Sequence, residues 1–261
     1  MLNKINFFLL DMDGTIYLGD RLIEGADVFL QALKTHNKRF AFITNNSSKN
    51  CAAYVTKLTN LGIAAEPDDI FTSGEAAAIC LNQIKPGAKI YLLGTNALKE
   101  EFVQAGFKLA RKGQAPDFVV LGFDTGLTYN KLWAACDYIR QNIPYYATHP
   151  DINCPVEGGN YMPDAGSMIA LIKASTGKSP VVIGKPNEHM VKAIFNKYGI
   201  KKDETAIIGD RLYTDIKMGN NAGITSILVL SGETSKAMSK RSKIKIDYVF
   251  DSVKDIIPYI K

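Results

Sequence analysis

Ile5-Asn6-Phe7-Phe8-Leu9-Leu10-Asp11-Met12-Asp13-Gly14-Thr15-Ile16 is an apolar run of strand length that ends abruptly in two carboxylates and a glycine. Side chains two apart on an extended chain point the same way. Asp11 and Asp13 are therefore expected to converge beyond the carboxyl end of the strand, where open α/β sheets bind ligands. Two unit charges of like sign at 4 Å repel by about 4 kcal/mol at an effective dielectric of 20. A hard cation with oxygen ligands is the usual way to relieve that repulsion. The plainer alternative is a solvated turn, since Asp and Gly are common turn residues, and the rest of the chain decides between the two.

Working outward, apolar runs of strand length alternate with amphipathic stretches of helix length, the βαβ pattern of a mainly parallel sheet. Strands are predicted over 5–10, 39–44, 89–93, 118–122, 145–148, 205–209, 225–230 and 248–250. Helices are predicted over 25–36, 49–61, 75–83, 130–141, 165–175, 188–198 and 213–220. A chain of 261 residues is long enough for one large domain or two smaller ones. It holds no apolar run near the roughly 20 residues that span a bilayer, and no secretory leader is expected at its start. Residence in the cytoplasm follows as the default. Cys51, Cys80, Cys136 and Cys154 are far apart, without zinc or disulfide spacing. The net charge of +5 mildly favours acidic small molecules. The basic cluster from Lys236 to Lys245 lacks interleaved aromatics, so a nucleic-acid polymer is not an expected partner.

Four polar clusters follow strand-like runs. The first is Asp11 with Asp13. The second is Phe40-Ala41-Phe42-Ile43-Thr44-Asn45-Asn46, and the third is Val181-Val182-Ile183-Gly184-Lys185-Pro186. The fourth is Ile207-Ile208-Gly209-Asp210-Arg211-Leu212-Tyr213-Thr214-Asp215. Taken singly, Thr44 could cap a helix, Lys185 could be a surface charge, and Asp215 could be a first-turn helix acid. Taken together they supply a nucleophile, an acid/base, a hydroxyl donor, a cation and a third carboxylate, which is what phosphoryl transfer requires.

In that order the four clusters resemble the motifs of the haloacid dehalogenase-like hydrolase superfamily, and the resemblance runs through the whole chain. Thr44 and Lys185 are 141 residues apart, whereas Asp13 to Thr44 is 31 and Lys185 to Asp210 is 25. Only the gap between Thr44 and Lys185 has room for an inserted domain. That spacing, with Thr44-Asn45-Asn46, Gly184-Lys185-Pro186 and Asp210-Arg211-Leu212, is similar to the class IIA branch of NagD-type and 4-nitrophenylphosphatase proteins. The branch implies an α/β fold, a Rossmann-like parallel-sheet core with an inserted α/β cap. The expected division is residues 1–72 and 181–261 for the core and 73–180 for the cap.

The resemblance implies a Mg²⁺-dependent phosphatase that acts on small phosphorylated metabolites through an aspartyl-phosphate. A phosphomutase or phosphotransferase of the same superfamily, and a phospho-accepting signalling domain, are the alternatives. Asp11 is the implied nucleophile and Asp13 the implied acid and base. Asp11, Asp13 through its carbonyl, and Asp210 are the implied metal ligands. Thr44, Asn45, Asn46 and Lys185 are the implied phosphate contacts. Asp215 and Gly14 are expected in support, and assembly into a homo-oligomer is open. His149 and Asp164 depart from the branch's wording in two cap loops, and His149 is the one histidine singled out, either for contact with substrate or for loop structure.

Overall fold

The computed structural model describes residues 2–156 and 159–260. The chain forms two compact units, one from 1–44, 51–71 and 186–261, the other from 45–50 and 72–185.

Among the described residues, the first unit carries a six-stranded sheet. Its order is Tyr248–Phe250, Thr225–Val229, Thr205–Gly209, Phe7–Asp11, Arg39–Thr44 and Ile70–Thr72. Phe7–Asp11 pairs in parallel with both neighbours, Leu10 opposite Ile208 on one side and Asp11 opposite Ile43 on the other. Every residue of this strand is buried. A parallel strand covered on both faces reads as an uninterrupted apolar run, which is why Phe7-Phe8-Leu9-Leu10 was legible. From Phe7–Asp11 the chain builds outward in one direction through residues 39–72 and in the other through residues 205–250. The order therefore reverses beside this strand, at the kind of switch point where open α/β sheets form ligand crevices. Helices Ala26–Thr35, Cys51–Asn60, Glu188–Tyr198 and Lys217–Ala222 belong to the same unit. Its core gathers Phe8, Leu10, Phe29, Leu33, Phe42 and Ile208. Burying each such side chain contributes about 1.5–3 kcal/mol.

The second unit has its own five-stranded parallel sheet, ordered Val181–Val182, Tyr145–Ala147, Phe118–Leu121, Lys89–Leu93 and Lys108–Leu109. Helices Ser73–Ile84, Asn96–Gln104, Tyr129–Arg140 and Ala165–Thr176 each begin at a residue whose side chain accepts from the first turn: Thr72, Thr95, Thr128 and Asp164. Leu93, Val119, Leu121, Ala135, Ile139, Tyr145 and Ile172 pack in its core. No helix among the described residues is long and apolar enough to cross a membrane.

The predicted helix over 213–220 differs from what forms. Leu212–Ile216 is a π-helical turn, and only Lys217–Ala222 continues as α-helix. Such wide turns occur mostly as single turns and often at functional sites. Here the turn follows Asp210 directly.

Candidate active site

Three adjacent strands of the first unit each end in a polar residue at the same edge. Asp11 closes Phe7–Asp11, Thr44 closes Arg39–Thr44, and Asp210 follows Thr205–Gly209. The register sets Asp11 level with Ile43, so Thr44 stands one residue beyond it. Carboxylate oxygens of Asp11, Asp210 and Asp215 all lie within 4.8 Å of one another. Asp11 is 9% exposed, Asp210 2% and Asp215 0%.

Three buried carboxylates this close are costly without positive charge between them. Asp210 shows the cost: burial, and then the neighbouring Asp215, push its pKa up to about 7. Its Oδ2 accepts from the Glu233 backbone N–H at 2.6 Å, while its Oδ1 is buried with no hydrogen-bond partner. An orphaned carboxylate oxygen facing two more carboxylates fits a hard divalent cation with oxygen ligands. Asp215 Oδ2 accepts instead from the Arg211 N–H at 3.3 Å and the Thr214 hydroxyl at 3.2 Å.

Glycines make this crowding possible. Gly14 turns the chain after Asp13 at φ +86°, and a Cβ built there would stand 2.5 Å from Asp210 Oδ2. At Gly232 a Cβ would overlap the same carboxylate. Gly232→Ala should therefore displace Asp210. With this cluster read as a cation site, we expect at least a tenfold rise in the Mg²⁺ concentration that gives half-maximal thermal stabilisation, at a metal-free melting temperature within a few degrees of wild type. An unchanged Mg²⁺ response would show that Asp210 does not depend on this close approach. Asp13, by contrast, is exposed.

The second unit holds the other expected residues in a separate network. Lys185 is 2% exposed, and its backbone is clamped from both sides by the Asn45 side chain. Lys185 N–H donates to Asn45 Oδ1 at 2.8 Å, and Asn45 Nδ2 donates to the Lys185 carbonyl at 3.1 Å. Nδ2 also donates to both Asp151 carboxylate oxygens at 3.2 Å, which fixes the amide's orientation. The Asn45 side chain is thus engaged in holding Lys185. Asn46 Oδ1 accepts from the Ser48 N–H and hydroxyl at 2.9 and 2.7 Å. His149 is wholly buried, with Nδ1 2.9 Å from Thr148 Oγ1 and Nε2 2.8 Å from Asp164 Oδ1. Asp164 Oδ1 also accepts from the Ala165 N–H at the start of its helix. His149 thus ties a strand end to a helix start, which fits loop support better than contact with substrate.

Asp151, Arg211 and Glu233 went unnoticed as functional candidates. Asp151 stands two residues past His149, which was singled out, so proximity to a flagged loop was the available signal. Glu233 carries no comparable signal in the sequence.

Comparison with known proteins agrees with this geometry. A family model described as haloacid dehalogenase-like hydrolase matches residues 8–108. A second, for HAD-hydrolase-like proteins, matches residues 182–256. The chain is 34% identical to 5'-nucleotidase YutF of Bacillus subtilis, covering 97% of this chain and 98% of that one. It is 32% identical to an acid sugar phosphatase of Staphylococcus saprophyticus, covering 96% of each. The crystal structure of 4-nitrophenylphosphatase from Thermotoga maritima superposes with a TM-score of 0.95 at 48% identity, over 100% of this chain and 99% of that one. Full-length identity at this level, together with three carboxylates at the switch point of the sheet, leaves one assignment: the chain belongs to the haloacid dehalogenase-like hydrolases, in the branch of NagD and 4-nitrophenylphosphatase proteins.

Proposed function

We propose that the chain is a phosphatase that hydrolyses small phosphate monoesters through an aspartyl-phosphate on Asp11, with magnesium as its cation. The observation that carries the reading is the convergence of Asp11, Asp210 and Asp215 within 4.8 Å, with one Asp210 oxygen buried and unpartnered. Asp11 and Asp210 would hold the cation with the Asp13 carbonyl, and when bound it would neutralise charge on the phosphoryl oxygens.

Asp11 attacks phosphorus as the bond to the leaving oxygen breaks, and exposed Asp13 gives that oxygen its proton. Asp13 then takes a proton from the incoming water. Water oxygen bonds to phosphorus, the Asp11–phosphorus bond breaks, and inorganic phosphate leaves. Thr44, one residue beyond the level of Asp11 in the sheet, donates its hydroxyl to a phosphoryl oxygen. On the strength of the family motif, Asn45 and Asn46 offer backbone donors to the phosphate and Lys185 supplies counter-charge. The clamp from Asn45 and Asp151 gives Lys185 a fixed backbone from which to do so, and His149 with Asp164 supports the loop beside it.

Substrates are free phosphorylated metabolites, in keeping with the names of the relatives: a nucleotidase, a sugar phosphatase and a 4-nitrophenylphosphatase. The cap is residues 73–180 in this reading, inside the second compact unit of 45–50 and 72–185, and the protein's compartment is the cytoplasm. None of the four cysteines is in a disulfide, as a reducing compartment allows.

The test is phosphate release from sugar phosphates, nucleoside monophosphates and 4-nitrophenyl phosphate. Chelator should stop release, Mg²⁺ should restore it, and Ca²⁺ should restore it poorly because it prefers longer bonds and more ligands. Full turnover in chelator would overturn the reading.

A further inference from the structure

The first unit contains a charged brace beside the carboxylate cluster that the hydrolysis steps above do not use. Glu233 lies on the loop after strand Thr225–Val229. Its backbone N–H donates to Asp210 Oδ2, and the next residue's N–H, on Thr234, donates to the Asp210 carbonyl at 3.2 Å. The Glu233 side chain turns the other way. Its Oε2 pairs with Arg211 Nε at 3.0 Å, and the Tyr213 hydroxyl donates to its two oxygens at 2.8 and 3.0 Å. Arg211 and Tyr213 flank Leu212, where the π-helical turn begins. One carboxylate therefore joins the turn carrying Arg211 to the loop that fixes Asp210.

Arg211 is the cation of this cluster. Its side chain is 16% exposed, and it adjoins Asp210 in the chain. Its guanidinium carries its positive charge at any working pH. A long side chain in such a place needs an anchor, because an untethered guanidinium has many rotamers to lose.

Resting on the phosphatase reading, we propose that Glu233 is a positioning residue: its carboxylate, clasped by Arg211 and Tyr213, holds the guanidinium of Arg211, the residue after Asp210, as a fixed positive charge for the incoming phosphoryl group. A guanidinium paired with a carboxylate is held in one orientation, and planar donors of this kind suit phosphate oxygens. Glu233 acts through Arg211 and not through Asp210, since the contact to Asp210 comes from backbone and survives any side-chain change.

The test is a double-mutant cycle on 4-nitrophenyl phosphate hydrolysis, with inhibition by inorganic phosphate as a second readout. Arg211→Met should lower kcat/KM by roughly 10- to 100-fold, the scale of one charge-assisted hydrogen bond. Glu233→Ala should lower it by about 5- to 20-fold, mainly through KM, and weaken phosphate inhibition in parallel. The metal concentration for half-activation should stay put. Glu233→Gln keeps an acceptor for Arg211 and should recover much of the loss. Tyr213→Phe, which leaves every charge in place, should lose about 2- to 5-fold in the same direction. In the Arg211→Met background, Glu233→Ala should cost nothing further. Losses that add in the double variant, or a Glu233→Ala effect confined to metal activation, would overturn the proposal while leaving the phosphatase reading intact. A wild-type chain that releases no phosphate with Mg²⁺ would overturn both.

Discussion

Asp11→Asn should abolish turnover, by about 10⁴-fold or more, the scale on which removing a nucleophile acts, whereas Asp13→Asn should leave a trapped phosphoenzyme. An amide is a poor nucleophile, so no bond to phosphorus forms without the Asp11 carboxylate. In the proposed mechanism Asp13 serves both halves of the reaction. With 4-nitrophenyl phosphate the leaving phenolate needs little protonation, so attack by Asp11 should proceed in Asp13→Asn. Hydrolysis of the intermediate still needs a base, and it should stall. Acid-quenched Asp13→Asn protein incubated with labelled substrate should carry close to one phosphate per chain, and Asp11→Asn should carry none. Equal labelling of the two variants would mean that the nucleophile lies elsewhere. The structure already separates the two acids, Asp11 nearly buried within the carboxylate cluster and Asp13 exposed.

Asp210→Asn should remove activity and at the same time stabilise the metal-free protein. Burial and Asp215 raise the Asp210 pKa from 3.8 to about 7. The folded chain thus holds this proton more tightly than the unfolded chain does. By linkage, stability from this group is fully present below the unfolded pKa and is lost as pH rises through about 7. Metal-free wild type should therefore melt several degrees lower at pH 8 than at pH 5.5, from a difference of roughly 2 kcal/mol between the two. The Asn variant should lack that decline. Mg²⁺ should reverse the sign of the wild-type trend, because a cation needs the ionised carboxylate. Its stabilisation should be larger at pH 8 than at pH 5.5 and near zero in Asp210→Asn. An equal Mg²⁺ shift in both proteins would remove Asp210 from the metal site.

Much of this architecture was readable in the chain because its strands are buried on both faces. Runs such as Phe7–Leu10, Phe40–Ile43 and Ala206–Ile208 carry no alternation to confuse with an amphipathic helix. Asp11, Thr44 and Asp210 could be picked out because each terminates such a run. Helix Asn96–Gln104 was missed because only Leu98 and Phe102 are buried along it, too thin a stripe to register as periodic. Strand Ile70–Thr72 is three residues long. The π-turn at Leu212–Ile216 follows from local close approach, Gly209 against Asp215, and not from apolar spacing. Contacts such as Asn45 with Lys185, 140 residues apart, depend on the finished fold, and nothing in their local sequence announces them. The same holds for the brace from Glu233 to Arg211.

The pairing of Phe7–Leu10 with Thr205–Ile208 has a consequence for how the protein is made. On a ribosome, the central strand waits for this partner while nearly 200 residues are added. At 5–20 residues per second that interval is roughly 10–40 s. Throughout it, one edge of Phe7–Asp11 offers unpaired amides and a row of aromatic and aliphatic side chains, the kind of edge that invites aggregation. The 72–185 stretch, by contrast, has a sheet whose strands all lie within it, and it can close early. Nascent chains halted before residue 205 should therefore show a folded insert beside an unfinished, chaperone-dependent first half. Asp11 would be present in every such chain, and the Asp210 that completes its cluster in none.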